Sequence, residues 1–159
     1  MNNKKGFTLI ELLVVIAIIG LLSTLAVVAL NSARMKARDA RRVGDVKQIQ
    51  TALELYYNDN SGYPAGSALA LGVGATGCLD QDGFDTAGAC SGTVYMGQVP
   101  SYPAPRTDGD CTTGIAGYTY NSPGAVSTYY LKYCLGGITG GVEAGLNTAC
   151  ESGISGCAY

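Results

Sequence analysis

Cys78, Cys90, Cys111, Cys134, Cys150 and Cys157 are the residues whose type most directly suggests chemistry. No two of them form a Cys-x-x-Cys pair, so a zinc ribbon and thioredoxin-like redox work are weak readings. A disulfide framework is the stronger one, because six cysteines in a small glycine-rich region suit an oxidising compartment. Six cysteines allow fifteen pairings, and spacing alone does not choose among them. The expectation adopted is the sequential set, Cys78–Cys90, Cys111–Cys134 and Cys150–Cys157. Asp80, Asp82 and Asp85 flank Gly83 and are the one ligand-like group, a weak candidate for calcium, which takes six to eight oxygens. They lack full EF-hand spacing, and such clusters are more often solvated loops. Asp108-Gly109-Asp110 is weaker still. No other cofactor is indicated. The chain has no histidine, so a Ser-His-Asp triad, a Cys-His dyad and histidine-ligated metal are excluded. No motif for an enzyme is present, and the expectation is a non-enzymatic protein.

These groups belong to a chain of two characters. Of 159 residues, 47% are apolar and 14% charged, with a net charge of −2. The average conceals Phe7 to Leu30, in which 19 of 24 residues are apolar and Glu11 is the one charge. Without that stretch the apolar share falls to roughly 41%, low for a large packed core. Twenty of the 23 glycines and all six cysteines follow Asn60. Charge divides similarly: residues 31–59 carry +2, and residues 60–159 carry −5. With no tryptophan and no basic excess, nucleic-acid binding is not indicated by composition.

An apolar run of this length satisfies its backbone in lipid only as a helix. At 24 residues it rises about 36 Å, enough to cross a bilayer with some tilt. No proline follows until Pro64, and residues 31–57 are mostly good helix formers. Arg42, Val46, Ile49, Leu53 and Tyr56 recur at spacings of four, three, four and three, one face of a helix. Asp45, Lys47, Gln48 and Glu54 are assigned to the opposite face. Asn58-Asp59-Asn60-Ser61-Gly62 and Pro64 form a dense stop signal. The spacing therefore predicts one helix from about Thr8 to Tyr57, with Gly20, Ser23, Thr24 and Gly44 as its weak points. Its amphipathic second half should pack on the remainder of the chain. A carboxylate inside a spanning segment is costly and usually paired or functional, which singles out Glu11.

The run Lys4-Lys5-Gly6-Phe7-Thr8-Leu9-Ile10-Glu11-Leu12-Leu13-Val14-Val15 resembles the class III prepilin signal of type IV pilins and of the pseudopilins of type II secretion. A weaker similarity continues through Ala37-Arg38-Asp39-Ala40-Arg41-Arg42 to Tyr56-Tyr57 and Gly62-Tyr63-Pro64. The resemblance implies cleavage between Gly6 and Phe7 by a prepilin peptidase, and N-methylation of Phe7. It implies that Glu11 neutralises the Phe7 amine of a neighbouring subunit, so that two charges that are costly alone in low dielectric meet on assembly. It also implies a membrane assembly platform, other copies and related pilins as partners, and a cytoplasmic N-terminus with the head outside. Arg34, Lys36, Arg38, Arg41 and Arg42 follow the span, and the positive-inside rule taken alone argues for the reverse orientation. The cysteines and the prepilin resemblance outweigh it. An ordinary secretory signal explains less, since its apolar region is shorter. A plain single-pass anchor explains neither Gly6-Phe7 nor Glu11.

The expected architecture is α+β and pilin-like: a long helix packed on a small antiparallel sheet with long disulfide-bonded loops. Its divisions are a leader at 1–6, a spanning and filament-core half-helix at 7–30, an amphipathic half at 31–58 and a head at 59–159. Tyr118-Thr119-Tyr120 and 129–133 are the best strands, with Asn121-Ser122-Pro123-Gly124 as the turn of a hairpin, and Val94-Tyr95-Met96 is a weaker strand. The tyrosines supply semi-polar area for a thin sheet laid on the helix. The functional expectation is a structural filament subunit. Its rivals are a type II secretion pseudopilin and a membrane-tethered calcium- or glycan-binding module.

Overall fold

The computed structural model describes residues 6–111, 117–124 and 127–157. The chain divides into two compact units, Met1–Arg34 and Met35–Tyr159. Helix α1 runs Leu9–Asn60. The strands are β1 (Gly66–Ala70), β2 (Cys78–Asp80), β3 (Gly83–Asp85), β4 (Val94–Met96), β5 (Thr119–Ser122), β6 (Tyr130–Leu135) and β7 (Gly145–Ala149), with a 3-10 turn at Gly74–Thr76.

Neither Gly20 and the Ser23-Thr24 pair nor Gly44 interrupts α1. Ser23 and Thr24 donate their hydroxyls to the carbonyls of Ile19 and Leu21, at 2.7 and 2.8 Å, so both are satisfied within the helix. The helix ends three residues beyond the expected Tyr57. Asn60 caps it by donating its side-chain amide to the Tyr56 carbonyl, and Ser61, at φ 55°, turns the chain out. The asparagine-rich stop signal thus forms the last turn rather than following it.

All pairings are antiparallel, in a four-stranded sheet of order β1-β5-β6-β7 and a three-stranded sheet of order β3-β2-β4. The expected hairpin is β5–β6, but its first strand starts at Thr119 and includes Asn121 and Ser122, which the sequence places in the turn. Asn121 pairs with Tyr130 in the ladder and accepts the Ala68 amide from β1, so strands on both sides hold it extended. Residues 125 and 126 of the connection lie outside the described residues. Strands β1, β2, β3 and β7 have no clear sequence signal, being only three to five residues long.

The core of the second unit joins Val46, Ile49, Ala52 and Leu53 of α1 to Leu131, Leu135 and a set of buried tyrosines. Rings of Tyr57, Tyr63, Tyr129, Tyr120 and Phe84 follow one another with centroid separations of 4.6 to 6.1 Å. A buried tyrosine needs a partner for its hydroxyl. Tyr120 donates to the Pro64 carbonyl, Tyr102 to Cys134, Tyr133 to Ile154 and Tyr63 to Glu54. The helix therefore receives a sheet whose side chains are apolar at the ring and hydrogen-bonded at the tip.

Asp45 is on the buried face, not the opposite one. The hydroxyl of Tyr118 donates to it at 2.7 Å, which offsets part of its burial cost. Burial still pushes the Asp45 carboxyl above its ordinary range, against the Tyr118 bond and the Arg41 charge.

Candidate functional site

A side chain at Gly6 would meet nothing within 4 Å, and Phe7 is 88% exposed. Residues 6–8 are outside any regular element, so the peptide bond after Gly6 is open on an irregular backbone, the form a protease takes up. Lys4 and Lys5 lie outside the described residues.

Thr8 and Glu11 then start the helix. Both the amide and the hydroxyl of Thr8 donate to Glu11 Oε2, at 2.8 and 2.7 Å, and the Glu11 amide donates back to the Thr8 hydroxyl at 3.3 Å. This is a reciprocal capping box: Thr-x-x-Glu satisfies amides that a helix start leaves without partners. Sequence reading singles out Glu11 but misses its partner Thr8, although the four-residue pattern carries the signal. Every residue from 6 to 30 is exposed, including Leu9, Ile10, Leu12, Leu13 and Ile16 at more than half of their surface. The helix is long and apolar enough to cross a membrane. Apolar area so large and continuous is not stable in water and requires lipid or protein around it.

The second half of α1 is positioned by charge as well as by apolar packing. Arg42 is fully buried; it reaches Asp39 at 2.7 Å, Asp108 at 2.7 Å and the Pro105 carbonyl at 2.9 Å, and lies over the Tyr102 ring. Asp39 also accepts the amides of Gly136 and Gly137, and Arg38 pairs with Asp108 at 2.7 Å. Burial alone would raise the Asp108 carboxyl, but its bonds to Arg42 and Arg38 hold it below the ordinary carboxylate value. The arrangement clamps the loop around Asp108 and the β6–β7 connection to the helix. Backbones come close there: Gly109 has φ +56°, and a Cβ on it would lie 2.0 Å from the Gly136 carbonyl oxygen. Periodicity places Arg42 on the buried face, but nothing in the sequence pairs it with Asp108.

The six cysteines form Cys78–Cys90, Cys111–Cys134 and Cys150–Cys157. The second joins the clamped loop to β6. Asp80, Asp82 and Asp85 fall on the β2–β3 hairpin, where Asp80 pairs with Gly83. The Asp80 carboxylate accepts the amides of Asp82 and Ser91, both at 2.9 Å, and Asp85 accepts the Thr86 amide. These bonds shape the hairpin and the Cys90 loop. Among the described residues, no three carboxylates or thiolates are grouped to hold a metal ion.

Comparison with known proteins bears on the first segment. Residues 1–27 match the prokaryotic N-terminal methylation motif. The chain is 41% identical over 63 residues to the type II secretion system core protein G of Escherichia coli K12, covering 40% of this chain and 43% of that protein. It is 42% identical over 63 residues to core protein G of Klebsiella michiganensis, covering 40% and 44%. It is 39% identical over 74 residues to the type IV wide pilus major component PilA4 of Thermus thermophilus, covering 46% and 56%. The chain thus spans about half the length of the curated relatives it matches. No solved structure matches it.

Proposed function

We propose that this chain, which carries the methylation motif and apolar helix shared by type IV pilins and type II secretion pseudopilins, is a structural subunit of a type IV pilus-like filament. The observation that carries the proposal is the coincidence of three features in one segment. These are an accessible Gly6–Phe7 bond, a carboxylate held at the first helical turn, and an apolar helix with no buried residue through Leu30.

Each feature supplies a step. The subunit is stored in the cytoplasmic membrane with its N-terminus inside and its head outside, since lipid covers the apolar side chains at no cost in exposed area. A prepilin peptidase cuts after Gly6, and the new Phe7 amine is methylated, keeping its positive charge. On assembly, Glu11 exchanges its Thr8 donors for the amine of a neighbouring copy. An opposite charge in low dielectric is a stronger partner than a hydroxyl, so the exchange favours the polymer and sets register. The apolar helices of many copies then become a shared core.

The first test is the N-terminal sequence and mass of the membrane-extracted protein. A start at methylated Phe7 is expected; a start near Asn31 overturns the reading. Glu11→Ala should abolish filaments while the head keeps its thermal stability, whereas a tethered binding module would keep its function. A second reading, a pseudopilin, is favoured by the protein G relatives. Deletion separates the two: loss of long surface filaments supports a pilus, and loss of secretion with no surface filament supports a pseudopilus.

A further inference from the structure

Residues 136–144 join β6 to β7 through a tight turn. Thr139 and Val142 exchange amide–carbonyl hydrogen bonds in both directions, each at 3.0 Å. Gly140 and Gly141 between them have φ of 60° and 81°, the conformation a two-residue hairpin requires. The arms of the turn are fixed as well. Asp39 accepts the amides of Gly136 and Gly137 on one side, and Val142 is buried on the other. Ile138 lies between these restraints and is 67% exposed, the most of any large apolar side chain beyond Leu30 among the described residues. A lone exposed apolar residue is ordinary on a protein surface. Ile138 differs in being held out by a fixed turn at one particular place.

That place is the start of the second unit. A Cβ on Gly137 would lie 3.6 Å from Met35 Cε, so the turn packs against the first residue of that unit. Met35 follows Leu30 by five residues, ~8 Å of helix rise and ~17 Å at the full reach of a chain. The headgroup layer on each side of a bilayer is about 5–8 Å thick. With Leu30 at the edge of the hydrocarbon, Met35 stands close to the lipid phosphates. Arg38 and Arg42 are spent on Asp108 and Asp39, whereas Lys36 is exposed and forms no ion pair among the described residues. Arg106, Asp110 and Glu143 are exposed on the neighbouring loops and give no net positive field. Apolar insertion and the single Lys36 ammonium therefore carry any contact with lipid.

We propose that the β6–β7 turn is a foot that rests on the membrane surface while the subunit is stored. Ile138 enters the boundary between headgroups and acyl chains, and Lys36 takes a lipid phosphate. Gly140 and Gly141 present no side chain, and a Cβ on either would meet nothing within 4 Å, so the backbone of the tip can approach the headgroups closely. The occupant is lipid because the chain's own apolar run ends five residues from Met35, which the turn covers. This contact rests on the membrane-stored state described above. It gives the subunit a second attachment, which withdrawal into a filament has to break.

The test uses the full chain in vesicles of phosphatidylcholine and phosphatidylglycerol. The native cysteines are all paired, so one introduced cysteine takes a nitroxide label. Labels are placed by Ile138→Cys, by Ile18→Cys within the apolar run, and by Leu55→Cys, 53% exposed and ~30 Å of helix rise beyond Met35. Electron paramagnetic resonance compares collisions with oxygen, which concentrates in lipid, and with a nickel chelate in the water on both sides. The oxygen-to-chelate ratio at 138 should exceed that at 55 at least fivefold, and Lys36→Glu should lower it at least twofold. Thermal unfolding of each labelled chain checks that the fold is kept. A ratio at 138 equal to that at 55 overturns the foot, as does exclusion of both reagents, which means that protein covers Ile138. A ratio unchanged by Lys36→Glu overturns the phosphate contact. If the label at 18 is itself open to the chelate, the membrane-stored state falls and the foot falls with it. A lipid-like ratio at 18 with a water-like ratio at 138 overturns the foot alone.

Discussion

Helix α1 changes its relation to water along its length. From Leu9 to Leu30 every residue is exposed, and most are apolar. From Met35 to Leu53 the same helix buries Asp39, Arg42 and Asp45 beside Val46, Ile49 and Leu53. Apolar groups are left open in one half and charges are enclosed in the other. Backbone conformation is the same in both, so helix propensity does not account for the difference. What differs is where each half finds its partners. The second half meets a sheet of its own chain, with tyrosine hydroxyls and loop carboxylates placed to satisfy its charges. The first half requires partners from outside the chain, and its polar groups, Thr8, Glu11, Ser23 and Thr24, are satisfied locally for that reason.

The comparison breaks most sharply at Arg42. Arg42→Met removes one side of a buried ionic cluster and leaves Asp39 and Asp108 without it. A loss of about 3–5 kcal/mol is expected in denaturant unfolding of the full chain in micelles. Replacing Cys111 and Cys134 by serine should cost about 3 kcal/mol in the same measurement, because the bridge closes a loop of sequence separation 23 near that cluster.

Tyr118→Phe should cost about 1–3 kcal/mol at neutral pH, since Asp45 stays buried without its donor. Its pH dependence has a definite sign. The folded Asp45 carboxyl is raised, so stability falls as pH climbs from the ordinary carboxylate value through the raised one. Removing the Tyr118 bond raises it further. The penalty of the variant should therefore be largest above that window and shrink below about pH 4, as the carboxyl takes up its proton in both states. A penalty independent of pH would show that Asp45 is not the group affected.

The smallest effect sharpens the contrast from the other side. Ile16→Ala, in the exposed half, should leave unfolding of the head unchanged within about 0.5 kcal/mol. Leu53→Ala, in the buried half, should cost about 2–5 kcal/mol. Equal effects would mean that the two halves do not have separate roles.

Much of this was legible from residue types and spacing. The apolar run, the Gly6-Phe7 and Glu11 pattern, the buried stripe through Arg42 and Leu53, and the hairpin around 119–135 each depend on neighbours close in sequence. The misplaced residues share a different cause. Asp45 reads as solvent-facing because aspartate is seldom buried, and Tyr118, 73 positions away, reverses that. Asn121 and Ser122 read as a turn, and strands on both sides hold them extended. The Asp80–Asp85 segment reads as a loop with free carboxylates, whereas backbone amides at 82, 86 and 91 occupy Asp80 and Asp85.

Sequence by itself determined that the chain has a membrane-length helix, a methylation motif over residues 1–27, and a cysteine-rich region after Asn60. Periodicity and motif are local, and a helix needs only local bonds to form. Tertiary structure alone decided which charges are enclosed and that Arg42 joins Asp39 to Asp108. Those outcomes depend on groups separated by tens of residues, whose burial is set when the sheet closes on the helix. The energy of each charge depends on that burial more than on its identity.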